Sequence, residues 1–305
     1  MSYAVLFPGQ GSQTVGMGSD VFAARPDLLG EPADTILGWS LAHMCSNGPE
    51  EELTRTDRAQ PALYAVAYAL WDAFRAEAPP PAAAAGHSLG EYTALAAAGA
   101  FEFEDGLRLV AARGAAMARA AERVDSGMAA LLGGDADSAE ALAAARRAAG
   151  GALWVANLNA PGQVVVAGGS ADIEWAQENV RDFGIRRAIP LKVAGAFHSP
   201  IMEPAAEELA AALAAAPVTQ PAFTVWANAD ASPAEDIVDS LRRQLTSPVR
   251  FAESLEAMAA AGVDTFVHIG PGDVTANLAK RTVPGATVHT VSGLDAVPDV
   301  VEAIQ

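Results

Sequence analysis

Gly86-His87-Ser88-Leu89-Gly90 carries the clearest chemical signal in this chain. Apolar residues 82–85 precede it and residues 91–98 follow at helical character, so the pattern predicts strand, sharp turn and helix, with Ser88 at the apex. Glycines at both ends let such a turn be tight enough to present the hydroxyl. At a helix N-terminus, free N–H groups and the macrodipole favour a developing oxyanion. A serine built this way is a nucleophile able to carry an acyl group.

Ala194-Gly195-Ala196-Phe197-His198-Ser199-Pro200 supplies a histidine in a loop after the apolar run 189–193. A neutral imidazole can take the serine proton and return it to the leaving group. The other histidines fit this role less well. His43 and His289 read as surface or satisfied core residues, His268 lies in an apolar strand, and His87 is expected to support the turn from its far side. No Cys/His spacing suits a metal.

The elements that must position these groups alternate in type. Residues 4–7 read as a buried strand ending in the glycine-rich loop Pro8-Gly9-Gln10-Gly11-Ser12-Gln13, which lacks the lysine of a phosphate-binding loop. Residues 60–75 and 107–121 read as helices, the second carrying Arg108, Arg113 and Arg119. From 128 onwards, strand 128–132, helix 138–149, strand 153–157, turn 159–162, strand 163–168, helix 171–183 and strand 187–191 follow the βαββαβ ferredoxin-like order. The expectation is an α/β chain. A large α/β-hydrolase-like domain with a parallel-sheet core (residues 1–123 and 191–305) would hold an inserted small ferredoxin-like domain (124–190). Strands 223–226 and 265–269 would return to the large sheet.

Of 305 residues, 51% are hydrophobic, and the formal net charge is −18. Such a balance excludes a disordered chain and argues against nucleic acid or anionic membrane as partner. One cysteine excludes an intrachain disulfide framework, and residues 1–8 lack the basic segment of a signal peptide. A cytoplasmic protein is the expectation.

The order of Phe7-Pro8-Gly9-Gln10-Gly11-Ser12-Gln13, Gly86-His87-Ser88-Leu89-Gly90-Glu91-Tyr92, the Arg113 helix, Asn159-Ala160-Pro161-Gly162-Gln163-Val164-Val165, His198 and Gly270-Pro271-Gly272 resembles the malonyl-CoA:acyl-carrier-protein transacylases of fatty-acid synthesis and the acyltransferase domains of polyketide synthases. The similarity runs from about residue 3 to about residue 282.

That resemblance implies Ser88 as nucleophile and His198 as base, with the backbone carbonyl of Gln244 orienting the imidazole; the Gln244 side chain is then expected to matter little. It implies an oxyanion hole from the amides of Gln10 and Leu89, with Gly9 and Gly11 letting main chain approach the substrate. Arg113 would hold a malonyl carboxylate, for which a planar guanidinium is suited. Phe197 would crowd an α-methyl branch and favour malonyl. Neither metal nor redox cofactor is implied: malonyl-CoA is a substrate, and the phosphopantetheine belongs to an acyl carrier protein, the expected partner of a monomer. Asp273, where several relatives are not acidic, puts carrier contact through that loop in doubt; Arg186, Arg187, Lys192, Lys280 and Arg281 are alternative docking cations. The residues leave open a trans-acting polyketide acyltransferase with other extender units, a serine (thio)esterase, and a non-catalytic carrier-binding protein.

Overall fold

The computed structural model describes residues 2–305. Strand β1 (Tyr3–Phe7), buried throughout, leads into five short helices, α1 (Ser19–Ala24), α2 (Pro26–Leu29), α3 (Glu31–Leu37), α4 (Leu41–Asn47) and α5 (Glu50–Thr54). Helix α6 (Thr56–Arg75), strand β2 (Ala83–Gly86) and helices α7 (Gly90–Ala97) and α8 (Phe103–Arg123) follow. Helix α6 begins a turn earlier than its apolar periodicity suggests, which puts Gln60 inside the helix and not at its start.

A second sheet is built from β3 (Ser126–Leu132), β4 (Leu153–Ala160), β5 (Gln163–Gly169) and β6 (Arg187–Pro190), with α9 (Ala136–Ala148) and α10 (Ser170–Asn179) as its helices. Its order is β4-β5-β3-β6, antiparallel at every pair, which is the ferredoxin-like arrangement. Side chains alternate between its faces. Ala129, Leu131, Val164 and Val166 pack in one cluster with residues of α9 and α10. Met128, Val165 and Ala167, pointing the other way, join the core of the large domain. The small sheet is thus one wall of the space it encloses with the large domain.

Among the boundaries that differ from the sequence expectation, two in this region change the kind of element. Asn159 and Ala160, expected in a turn, are the last residues of β4, because register shifts at Val155/Asn157 and Leu158/Ala160 let the strand continue past two irregularities. Such bulges re-aim side chains. A parallel bridge from Asn157 to Val249 also ties the strand to the large domain. Helix α10 stops at Asn179, and residues Val180–Phe183 tighten into a 3-10 turn before Gly184.

The chain then forms α11 (Glu203–Ala215), β7 (Thr224–Ala227), β8 (Ser232–Pro233), α12 (Ile237–Gln244) and α13 (Phe251–Ala260). It ends with β9 (Thr265–Ile269), α14 (Val274–Thr282), β10 (Thr287–Val291) and α15 (Val297–Ile304). The large sheet runs β10-β9-β1-β2-β7-β8, parallel at every pair except β7–β8. Its central strands are short Ala/Val/Leu runs, as expected when helices cover both faces. Because Phe7 pairs with Gly86, the loops after β1 and β2 leave the same carboxyl edge side by side. In open parallel sheets that edge is where ligands bind. Among the described residues no helix is long and apolar enough to cross a membrane.

Candidate active site

Ser88 sits between β2 and α7 with φ 52°, a left-handed conformation costly for a side chain and tolerated where the surroundings fix it. The constraints are visible. A Cβ on Gly86 would lie 1.8 Å from the carbonyl carbon of Gly90, and one on Gly90 would lie 2.3 Å from the Phe7 oxygen. Asn228, just beyond β7, locks the turn from below. Its Oδ1 accepts the Ser88 N–H at 2.7 Å and its Nδ2 donates to the Gly86 carbonyl at 2.7 Å.

The Ser88 hydroxyl lies 2.7 Å from His198 Nε2, and His198 Nδ1 lies 2.9 Å from the Gln244 carbonyl. A carbonyl can only accept, so Nδ1 carries the proton and Nε2 is left to receive one from Ser88. Burial, reinforced by the positive charge of Arg113, pushes the His198 pKa down to about 3. The imidazole is therefore neutral at neutral pH.

Beside Ser88, the amides of Leu89 and Gln10 have no acceptor among the described residues, and both residues line the same cavity. The Ser88 amide is already committed to Asn228. Gln10 turns its side chain away, taking a hydrogen bond from Thr56 Oγ1 at 2.9 Å and donating to the Thr54 carbonyl at 3.3 Å. The reason for Gly9 differs from the expectation: a Cβ there would meet the His87 carbonyl at 2.3 Å, so it is loop-against-loop packing that demands glycine.

Arg113, on α8, is the largest fully buried side chain, 1% exposed, and its guanidinium lies 5.4 Å above the Tyr92 ring. Nη1 donates to Gln60 Oε1 at 2.7 Å; Nη2 donates to Gln244 Oε1 at 2.8 Å and Ser88 Oγ at 3.1 Å. Nε has no partner among the described residues, and all three direct acceptors are uncharged. Burial lowers its pKa. A buried guanidinium that touches no carboxylate is expensive even with the Glu91 carboxyl acting on it through space, and an incoming anion relieves that cost.

These groups face a cavity of about 430 Å³ whose walls come from both domains. Phe197 and Met117 from the large domain and Met128 and Val165 from the small sheet form its apolar part. His87 is half-buried at the cavity wall, its Nε2 2.7 Å from Asn159 Oδ1 at the bulged end of β4. Of the candidate docking cations, Lys192 lies at this cavity, Arg186, Arg187 and Lys280 are exposed, and Arg281 is tied to Gln163 Oε1 (2.6 Å) and the Pro161 carbonyl (3.2 Å). Asp273 is exposed just before α14.

A second expectation needs correcting. The Gln244 side chain is not idle: it is 1% exposed and joins three groups of the site, accepting from Arg113 and donating to the Ser88 carbonyl (2.9 Å) and Glu91 Oε2 (2.7 Å). Glu91, Gln60 and Asn228 were missed as well. Glu91 Oε2 also accepts the Asn228 amide at 2.9 Å, and burial pushes its pKa up to about 7. A glutamate in the otherwise apolar stretch after Gly90 was the available signal for this layer; for Asn228 there was none.

Comparison with known proteins identifies the family of the chain. The profile of the acyl transferase domain family matches residues 5–298. The chain is 42% identical to the malonyl CoA-acyl carrier protein transacylase of Bacillus subtilis (strain 168), over 91% of this chain and 89% of that one. It superposes with TM-score 0.91 and 38% identity on an acyl carrier protein S-malonyltransferase from Vibrio cholerae, covering 98% and 100% of the two chains. A malonyl-transacylase solved in complex with its type II polyketide synthase acyl-carrier protein gives TM-score 0.94 at 36% identity, covering 99% and 100%. The chain belongs to the acyl transferase domain family, in the branch of the malonyl-CoA:acyl-carrier-protein transacylases.

Proposed function

We propose that this protein transfers a malonyl group from malonyl-CoA to the phosphopantetheine thiol of an acyl carrier protein through a malonyl-Ser88 intermediate. The observation that carries this reading is the buried Arg113 guanidinium, one N–H on Ser88 Oγ and no carboxylate partner, at the floor of the Ser88 cavity. A malonyl carboxylate supplies the missing anion at one end while its thioester carbon lies at the serine. An acetyl group cannot.

In the first half-reaction Ser88 Oγ gives its proton to His198 Nε2 and attacks the thioester carbonyl. The resulting oxyanion is taken by the amides of Gln10 and Leu89, preorganised donors of the kind that contribute about 3–4 kcal/mol apiece to such steps. Collapse expels the CoA thiol, which takes the proton from His198. In the second half-reaction the carrier's thiol loses its proton to His198 and attacks the malonyl ester; collapse expels Ser88 Oγ, which takes the proton back from His198. The Gln244 carbonyl holds the imidazole in the tautomer both halves need. Phe197 narrows the cavity beside the α-carbon, an effect worth roughly 1–3 kcal/mol against a methyl branch. Residues 124–190 form the small domain that closes the cavity from the β3 and β5 side. Lys192 and the exposed Arg186 and Arg187 supply local positive charge for an acidic carrier.

Incubation with malonyl-CoA and a phosphopantetheinylated carrier should yield malonyl-carrier, and Ser88→Ala should yield none. Release of free malonate with no dependence on carrier would instead identify a thioesterase.

A further inference from the structure

Gln244 enters the mechanism through its carbonyl, yet its side chain is the better connected half. Its Nε2 faces the Ser88 carbonyl, which can only accept a hydrogen bond. Its Oε1 faces Arg113 Nη2, which can only donate. The amide therefore has a single orientation whatever the charge on Glu91; flipping it would set N–H against N–H and oxygen against oxygen at once. Glu91 Oε2 adds a second acceptor for Nε2 and is itself held by the Asn228 amide. The same Asn228 holds the Ser88 N–H. A closed ring of hydrogen bonds thus runs Ser88, Gln244, Glu91, Asn228 and back to Ser88, with Arg113 hanging from the Gln244 corner.

Resting on the assignment of Arg113 as the carboxylate site, we infer that the Gln244 side chain is the positioning residue that registers Arg113 against Ser88, and that it sets the preference for carboxylated over plain acyl groups. Nη2 is shared between Gln244 Oε1 and Ser88 Oγ, so the glutamine fixes the separation between the guanidinium and the acyl-bearing oxygen. On the other side Gln60 Oε1 holds Nη1, which stops rotation of the fork. An acetyl group makes no use of that separation; a malonyl group must match it.

The test is single-turnover acylation of Ser88 by malonyl-CoA and by acetyl-CoA, normalised to the sites that become labelled, so that misfolded protein does not enter the comparison. Gln244→Leu keeps the backbone carbonyl but removes all three side-chain bonds. The ratio of malonyl to acetyl acylation rates should fall about tenfold or more, the scale of one hydrogen bond to a charged group. In an Arg113→Ala background the same substitution should change the ratio by less than about twofold, because the two residues act as one unit. Glu91→Gln, whose single amide oxygen can accept both bonds now made to Oε2, should retain the ratio to within about threefold. Parallel loss of both acylation rates in Gln244→Leu, leaving the ratio intact, would overturn the inference and assign the side chain a merely structural role. A collapse of the ratio in Glu91→Gln as deep as in Gln244→Leu would overturn it too, in favour of the Glu91 charge. If Arg113→Ala itself left the ratio unchanged, the carboxylate-site reading would fall, and that failure is distinguishable from the other two.

Discussion

Two arginines flank Gln244, one in sequence and one in space, and they live in opposite electrostatic regimes. Arg243, at the end of α12, is about one-third exposed and holds Asp230 through Nη1 and Nη2 (2.8 and 2.6 Å) and Asp239 through Nε (2.6 Å). Every part of its fork meets a carboxylate of the protein. Arg113 is buried, and its protein acceptors are two amide oxygens and the reactive hydroxyl. Exposed ion pairs of the first kind are screened by water and contribute little. A buried cation held by neutral dipoles is costly by itself and is completed by a ligand. The complete arginine reads as architecture; the incomplete one is the carboxylate site we propose.

Breaking the unit around Arg113 should have effects of graded size. His198→Ala should lower Ser88 acylation by roughly a hundred- to ten-thousandfold, measured by stopped-flow release of CoA, since no other base reaches Oγ. Arg113→Ala should reduce the malonyl preference by about a hundredfold, the loss expected for a charge-assisted bidentate contact. It should also move the acid limb of the acylation pH profile. His198 is held down by burial first and by the Arg113 charge second, so removing the charge raises its pKa and activity is lost at a higher pH. In the intact protein the neutral base should persist well below pH 6.

Asn228→Ala leaves the Ser88 N–H and the Gly86 carbonyl unsatisfied, at about 1–3 kcal/mol each, which denaturant titration would register along with slower acylation. Phe197→Ser should admit methylmalonyl-CoA roughly ten- to two-hundredfold better relative to malonyl-CoA, read from competing acyl-CoAs. Arg243→Ala, on the other side of the comparison, should cost less than about 1 kcal/mol of stability and leave the malonyl preference near that of the unaltered protein.

The same contrast explains which parts of the molecule are legible in the sequence. Ser88 sits in a pattern whose glycines are required by backbone contact, so the turn, its strand and its helix are all readable from five residues. The βαββαβ order of the small domain is readable because its strands alternate between two buried faces and its helices are set off by turns. The five short helices between residues 19 and 54 are not, because each is too brief to show a period. Gln60, Glu91, Asn228 and the Gln244 side chain come from α6, α7, the loop after β7 and α12, and only tertiary folding brings them together. An amide buried for its two-sided hydrogen bonding looks, in a sequence, like any surface glutamine.

In the proposed mechanism the Arg113 guanidinium, which touches no carboxylate, selects the acyl group that Ser88 carries. Intact-protein mass spectrometry with peptide mapping, after a brief exposure to equimolar malonyl-CoA and acetyl-CoA, tests it most directly. The structure predicts a malonyl adduct on Ser88 in large excess over acetyl, with the excess gone in Arg113→Ala. Equal labelling by the two acyl groups in the unaltered protein, or labelling at any residue other than Ser88, would contradict it.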